Sequence, residues 1–255
     1  MKITEKHYEW IKHLFPKPRK KPTISNIGIL NAMLYVMENG CKWRALPSEY
    51  GNWHTIYTRI NRWAKSGLLQ RIFLYMQSIG AIKINVKIVA LDSTCIKVHP
   101  DGMGALKKTA SSQSEKQEAV SIPNFIWSSD RNAVIFDLSS GNAGDAPQGR
   151  KLLKKYGKRK KTVYLLMDRA FEGNETRNLA RELGYVPIVP PKSNRKEPWA
   201  YDKALYKLRN EIERLFRRLK RFRRIFTRYD KLDIIFLQFI TFALIYDALI
   251  YVNRT

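Results

Sequence analysis

The sequence predicts an α/β protein preceded by an all-α segment, and the prediction rests on two patterns. Apolar residues recur at helical spacing over residues 1–80, whereas short apolar runs alternate with helical patterns from residue 81 onward. The 255 residues are enough for two domains, and an apolar content of 44% excludes a wholly disordered chain. We therefore predict a helical domain over residues 1–80 and an α/β domain over residues 81–255.

Four helices are predicted in the first domain. The prolines between Pro16 and Pro22 end the first helix, because proline cannot continue the hydrogen-bond ladder. Asn39-Gly40 and Ser66-Gly67 are typical helix ends. The predicted helices are Lys2–Leu14, Ser25–Glu38, Trp53–Lys65 and Leu68–Ser78.

The third of these helices carries Arg59 and Arg62, which are three residues apart and face the same way. A helix, an irregular turn and a second helix with such arginines suit docking in the major groove of DNA. An ordinary helical domain with a solvated basic face fits the same residues equally well. A third interpretation is a subunit interface formed by Ile56 and Ile60 on this helix.

Strands and helices alternate in the second domain. Asp145-Ala-Pro is a favourable helix start. The predicted strands are Asn85–Leu91, Ser121–Trp127, Ala133–Leu138, Thr162–Met167 and Tyr185–Val189. The predicted helices are Ala146–Tyr156, Asn174–Leu183, Tyr201–Arg221 and Leu232–Val252.

The last helix, Leu232–Val252, is long enough to cross a bilayer. Asp233, Gln238 and Asp247 interrupt its apolar run, so we predict a buried amphipathic helix and no membrane partner. The first ten residues lack the apolar region of a signal peptide, and the two cysteines form no CxxC pair. These features indicate a cytoplasmic protein.

Charge identifies the class of partner. The chain has 47 Lys and Arg against 22 Asp and Glu, a formal net charge of +25. Such a field attracts polyanions, above all nucleic acid. Residues 150–161 hold eight basic side chains and no acid, and residues 203–231 hold twelve basic side chains against three acids. Both runs are typical of surfaces that follow a phosphate backbone.

Three acids stand out against this basic background. Asp92 and Asp168 each follow a predicted strand, and Glu213 lies on a predicted helix among arginines. Acids at the carboxyl ends of neighbouring strands converge at one edge of a sheet. Clustered carboxylates with only oxygen ligands suit Mg²⁺ or Mn²⁺, which support phosphodiester chemistry.

Four segments resemble the DDE transposases of bacterial insertion sequences, specifically the insertion-sequence five group of the insertion-sequence four superfamily. Residues 40–63 resemble the N-terminal helical domain of that group, and residues 91–102 and 166–174 resemble the blocks around its two catalytic aspartates. The most specific match is a Tyr–Arg–Glu–Lys signature with gaps of two, three and six residues, formed by Tyr206, Arg209, Glu213 and Lys220.

The resemblance implies an RNase H-like catalytic domain with Asp92, Asp168 and Glu213 as catalytic metal ligands for Mg²⁺ or Mn²⁺. It places Tyr206, Arg209 and Lys220 against DNA near the cut, and the neighbouring Arg217, Arg218 and Arg221 extend this basic helix. Glu211 is the rival for the third ligand, although the spacing to Arg209 and Lys220 favours Glu213.

The function implied is cleavage of double-stranded DNA at the terminal inverted repeats of an insertion sequence, followed by strand transfer by a homodimer or higher multimer. A nuclease of the same fold and a non-enzymatic DNA-binding derivative remain alternatives. The sequence departs from the family over residues 112–127, with Pro123 in a predicted central strand, and has Gly144 where relatives carry histidine.

Overall fold

The computed structural model describes residues 2–17, 20, 22–81, 88–93, 96–99, 120–128, 133–140 and 144–252, and for residues 120–128 and 133–140 only the backbone. These residues belong to two compact units. The first comprises residues 1–82, 98–116 and 219–255, and the second comprises residues 83–97 and 117–218.

The first unit is helical over residues 1–80, as predicted, and it also contains two helices after residue 219, which were predicted to belong to the α/β domain. Its helices are α1 (Glu5–Glu9), α2 (Asn26–Asn39), α3 (Trp53–Ser66), α4 (Leu68–Ser78), α9 (Arg223–Phe226) and α10 (Asp233–Val252), with a short strand β7 (Thr227–Arg228). Ser25 caps α2 by accepting a hydrogen bond from the Gly28 amide at 3.1 Å, and Gly40 ends it in the left-handed conformation. The predicted first helix is shorter than expected, since a 3-10 turn replaces its second half over Lys12–Leu14.

Helix α10 forms the centre of this unit. It packs against α3 and α4, and α2 packs against α9. Residues 233–250 are long and apolar enough to cross a membrane, but 72% of them are buried inside the protein. The helix is buried on nearly all sides, so the prediction of an amphipathic helix was wrong while that of a buried one is confirmed.

The second unit is built on a mixed sheet. Strand β1 (Ile88–Ser93) runs antiparallel to β3 (Val120–Ser128), which is antiparallel to β4 (Ala133–Ser140). On its other side β1 runs parallel to β5 (Val163–Met167), which is parallel to β6 (Tyr185–Ile188). Helices α5 (Asp145–Tyr156) and α6 (Asn174–Glu182) flank this sheet, which confirms the α/β class.

Pro123 lies inside β3, where it is paired with Leu138 of β4. Toward the other side, the described ladder with β1 ends at Asn124, and the ladder with β2 (Ile96–Val98) begins at Ser121. The pairs described on that side do not include Pro123, which has no amide hydrogen to contribute. The rest of the unusual segment, residues 112–119, lies outside the described residues.

The core of the second unit lies between the sheet and helices α5 and α6. Gly149 of α5 faces this core, where a Cβ atom would come within 2.5 Å of Phe171 and 2.9 Å of Leu91. The glycine therefore lets α5 approach β1, which carries Asp92, and the 3-10 turn that follows Asp168. The remaining core side chains include Val89, Leu152, Leu153, Val163, Leu165, Met167 and Ala180.

Two local predictions need correction. Helix α5 begins at Asp145 without a side-chain cap, and Gly144 occupies the capping position. The helix predicted over 201–221 is broken into α7 (Lys203–Lys207) and α8 (Asn210–Lys220), with a turn at Leu208-Arg209. The break matters because it directs the Arg209 side chain.

Candidate active site

Strands β1 and β5 bring the two aspartates to one edge of the sheet. Leu91 is paired with Met167 in the parallel register, so Asp92 and Asp168, the next residue of each strand, follow side by side. Leu91 belongs to the core on one face, and Asp92 points to the opposite face because side chains alternate along a strand. The Asp168 carboxylate accepts a hydrogen bond from the Arg169 amide at 2.6 Å and begins a 3-10 turn.

Arg209 connects the first aspartate to the predicted glutamate. Its Nη1 atom lies 2.7 Å from Asp92 Oδ2, and its Nη2 atom lies 2.5 Å from Glu213 Oε1. The guanidinium is thus shared between a strand residue and a helix residue that are far apart in sequence. Glu213 sits one helical turn after Arg209, at the i,i+4 spacing that allows such a pair.

Electrostatics couple all three acids to Arg209, and they couple Asp168 to Tyr206. Burial opposes the charge on Arg209, but Asp92, Tyr206, Asp168 and Glu213 outweigh it and raise the pKa of the guanidinium. Burial also raises the pKa of Tyr206, with Arg209 acting against the shift and Asp168 adding to it. Tyr206 therefore keeps its proton beside the carboxylates and can donate a hydrogen bond.

The rival acid, Glu211, has a different environment. Its carboxylate pairs with Arg214 on the same helix, whereas Glu213 joins the pair formed by Asp92 and Arg209. Glu213 is also the more exposed of the two glutamates, at 43% of its side chain against 19%. The geometry supports Glu213 as the partner of the two aspartates.

The carboxylates fit a divalent cation by their chemistry. Asp92, Asp168 and Glu213 offer only oxygen ligands, which hard ions such as Mg²⁺ and Mn²⁺ prefer. Over the described residues no three acidic, histidine or cysteine side chains are already grouped around a common point. The Arg209 guanidinium lies between Asp92 and Glu213. The three carboxylates supply the oxygen atoms that the metal prefers, but their side chains must move before they can bind it together.

A second ion pair holds the loop that leads to α7, and the sequence alone did not indicate it. Glu172, buried to 6% exposure, accepts from Arg195 at 2.9 Å. Trp199 donates to the Val189 carbonyl at 2.9 Å, and the Arg177 guanidinium carbon lies 3.4 Å from the centre of its ring. These contacts anchor the loop after β6 beside the segment after Asp168.

The remaining predicted contacts on α8 have mixed exposure. Arg217 is exposed and stands one turn after Glu213 on the same helical face, whereas Arg218 is half-buried. Lys220, the last residue of the helix, is half-buried, and Arg221 is exposed with its guanidinium 4.8 Å from the ring of Phe222. Their roles toward DNA stay predictions.

The two arginines predicted on α3 are placed differently. Arg59 donates to the Ile24 carbonyl at 2.7 Å and to Asn26, and burial lowers its pKa. Arg62 is exposed and open to an external ligand. Ile56 and Ile60 are almost fully buried within the unit, so the interface interpretation that relied on them was wrong.

Exposed lysines lie near the end of β5 that is opposite to Asp168, on the last turn of α5 and on the segment that leads into β5. We call this group the lysine edge; it comprises Lys154, Lys155, Lys158, Lys160 and Lys161. Arg159 holds the turn in place, since its amide donates to Leu183 at 2.8 Å and its guanidinium carbon lies 3.9 Å from the ring centre of Tyr156. Strand β5 separates Lys161 from Asp168, a distance of about 20 Å at the usual rise per residue.

The strand order, the paired aspartates and the glutamate of α8 are the features predicted for a DDE catalytic domain. The family model described as "Transposase DDE domain" matches residues 87–247, more than half of the chain, and a model described for transposases of the IS4/5 family, DUF4096, matches residues 3–73. The chain therefore belongs to the DDE transposase family and is by class a DNA transposase. The mixed sheet with its flanking helices agrees with the α/β class predicted for the catalytic domain.

Two curated relatives agree with this assignment. The uncharacterized protein y4sN of Sinorhizobium fredii is 26% identical over 106 residues, which cover 40% of this chain and 82% of that protein. The uncharacterized 16.2 kDa protein of insertion element IS402 from Burkholderia cepacia is 31% identical over 91 residues, covering 32% of this chain and 62% of that protein.

Solved structures with some similarity come from the Mos1 mariner transposase. Its catalytic domain is 10% identical with a TM-score of 0.29, covering 76% of this chain and 93% of that one. Its strand transfer complex is 10% identical with a TM-score of 0.32, covering 94% and 80%. These scores are low, so the fold assignment rests on the family models and the strand order.

Proposed function

We propose that the protein cuts DNA at the terminal inverted repeats of an insertion sequence and joins the freed 3′-hydroxyls to target DNA. The observation that carries the proposal is the bridge that Arg209 forms between Asp92 and Glu213, with Asp168 next to the strand that is paired with the strand of Asp92. The first step hydrolyses a phosphodiester, so that water adds to phosphorus and the 3′-oxygen leaves. In the second step that 3′-hydroxyl attacks a target phosphorus, and a phosphodiester oxygen of the target leaves.

Asp92, Asp168 and Glu213 would hold Mg²⁺ or Mn²⁺, which activates the attacking oxygen and stabilises the leaving oxygen when bound. Tyr206 and Arg209 are positioning residues beside these acids. Both can donate to non-bridging phosphate oxygens, and the bidentate guanidinium also fixes orientation. The net charge of +25 supports retention of both DNA partners.

Three further parts of the proposal concern organisation. Residues 1–80 recognise the repeat, while residues 81–255 perform the chemistry. The protein acts as a homodimer or higher multimer, because two element ends must be joined in one event. It works in the bacterial cytoplasm, associated with the nucleoid when bound to DNA.

The test compares conservative variants of the acids. Asp92→Asn, Asp168→Asn and Glu213→Gln should each abolish cleavage of a duplex carrying the element end, because a two-metal site loses orders of magnitude in rate with one ligand. DNA affinity should persist in all three. Glu211→Gln is the matched control on the same helix and should cleave normally; the reverse result would move the third ligand to Glu211.

A pre-cut element end incubated with supercoiled plasmid separates the two enzymatic interpretations. Joined products support the transposase, whereas nicking without joining supports a nuclease of the same fold. If Asp92→Asn retains every activity of the wild type, the protein acts as a DNA-binding derivative.

A further inference from the structure

Arg209 cannot keep both of its present ion pairs and also bind a DNA phosphate with the same donors. In the structure its guanidinium is engaged by Asp92 at 2.7 Å and Glu213 at 2.5 Å. The proposed function requires the same donors for a DNA phosphate and the same carboxylate oxygens for a divalent cation. The ion pairs of Arg209 must therefore change before the DNA phosphate and the divalent cation can both bind.

The two arms of this bridge differ in exposure. The Asp92 side chain is 10% exposed and that of Arg209 14%, whereas the Glu213 side chain is 43% exposed. Solvent weakens an ion pair, so the arm to Glu213 is the one that opens at least energetic cost. The buried arm to Asp92 keeps the guanidinium at the site while the outer arm changes partner.

A DNA phosphate is a suitable replacement partner. It is an anion of the geometry that a guanidinium binds in bidentate fashion, as a carboxylate is. When the phosphate binds the Arg209 guanidinium, Glu213 loses this partner and becomes available as an oxygen ligand for the metal. The negative phosphate then compensates the positive charge of Arg209 beside the acids. Before that exchange, a divalent cation must compete with Arg209 for the same oxygens.

We propose that Arg209 is an exchangeable counter-ion that holds Asp92 and Glu213 together without DNA and releases Glu213 to the metal when a DNA phosphate binds. The inference rests on the proposed function and adds a regulation to it: DNA and the divalent cation bind cooperatively. Because coupling between two sites is reciprocal, the metal raises the affinity for DNA by the same factor.

The experiment measures Mn²⁺ affinity of the full chain by electron paramagnetic resonance, with and without a saturating short duplex. For the wild type we expect the duplex to tighten Mn²⁺ binding about tenfold, within the usual range of coupling between sites. Arg209→Gln should bind Mn²⁺ more tightly than the wild type without DNA, and the duplex should then have little further effect. Arg214→Gln is the matched control, since it removes the same charge from the neighbouring pair with Glu211 and should keep the wild-type coupling.

Two results would overturn the proposal. One is a wild-type Mn²⁺ affinity that the duplex does not change; the other is weaker Mn²⁺ binding by Arg209→Gln without DNA, which would make Arg209 a fixed organiser of the ligands. If Arg209→Gln fails to fold, Arg209→Lys keeps the charge without the forked geometry and should show reduced coupling; unchanged coupling would contradict the exchange. Acid variants that lack cleavage decide the proposed function separately, because metal binding is measured without turnover.

Discussion

Replacing Gly149 with alanine tests how closely α5 must approach the catalytic strands. The new Cβ atom would lie 2.5 Å from Phe171 and 2.9 Å from Leu91, whereas carbon atoms in contact are normally about 3.5–4 Å apart. The helix, the Phe171 ring or the Leu91 side chain must therefore move by about 1 Å. Alanine gains about 1 kcal/mol of helix propensity, and overpacking costs about 1–3 kcal/mol, so a net loss of up to about 2 kcal/mol is expected.

The displacement should also reduce activity. Leu91 directly precedes Asp92, and Phe171 follows Asp168 by three residues, so the shift reaches both carboxylates. A misplacement of this size lowers a rate by up to about 100-fold. Thermal melting should show a decrease of up to about 8 °C, and cleavage should be measured well below both melting temperatures.

Gly173→Ala provides the matched control, because a Cβ atom there meets nothing within 4 Å and its φ of −56° suits any residue. Its stability should stay within about 0.5 kcal/mol of the wild type. A second-site change, Phe171→Leu, should restore part of the stability lost in Gly149→Ala. A Gly149→Ala protein that melts at or above the wild-type temperature and cleaves normally would refute the reasoning.

Three further predictions concern the remaining charged groups. Asp230→Ala leaves Arg224, which is 5% exposed, without its two bonds of 3.0 and 2.8 Å, and should cost about 3–5 kcal/mol by denaturant titration; a loss below about 1 kcal/mol would show that the pair is dispensable. Arg62→Ala should weaken binding to the matched repeat by about 1–3 kcal/mol and to random DNA very little, while Arg59→Ala should mainly lower the melting temperature; equal losses on both DNAs would exclude base readout. The third change neutralises four lysines of the lysine edge: Lys154→Gln, Lys158→Gln, Lys160→Gln and Lys161→Gln. It should reduce the slope of log affinity against log salt concentration by about 0.9 for each DNA phosphate that the protein no longer neutralises. An unchanged slope would show that the lysine edge is not part of the DNA-binding surface.

The sequence predicted the first and last residues of a helix well where capping or helix-breaking residues mark both of its ends. Helix α4 begins and ends at the predicted residues, Leu68 and Ser78, and α2 differs from its prediction by one residue at each end. The strands that end in Asp92 and Asp168 were found because a short apolar run closed by an acid is a strong pattern. The break at Leu208-Arg209 was missed, because no glycine or proline marks it in the sequence.

The site was predictable in its composition and only partly in its geometry. Sequence spacing indicated Asp92, Asp168 and Glu213, but no local rule places an arginine between two acids from distant segments. The same limit explains Arg59, whose side chain was expected to face DNA and instead binds Ile24 and Asn26. Partners of this kind are set by tertiary packing, which one-dimensional periodicity does not contain.

The position of α10 has a consequence for the order in which the protein matures. Helices α3 and α4 are synthesised early, yet the helix that they pack against is synthesised only after the segments that carry the three acids. During translation, the apolar side chains of α3 and α4 that pack against α10 therefore stay exposed until residues 233–252 leave the ribosome. A stop codon shortly after Glu213 would spare all three acids and still deprive the first unit of its centre, so such truncated copies should be cleared as misfolded chains and should not compete for DNA with intact protein.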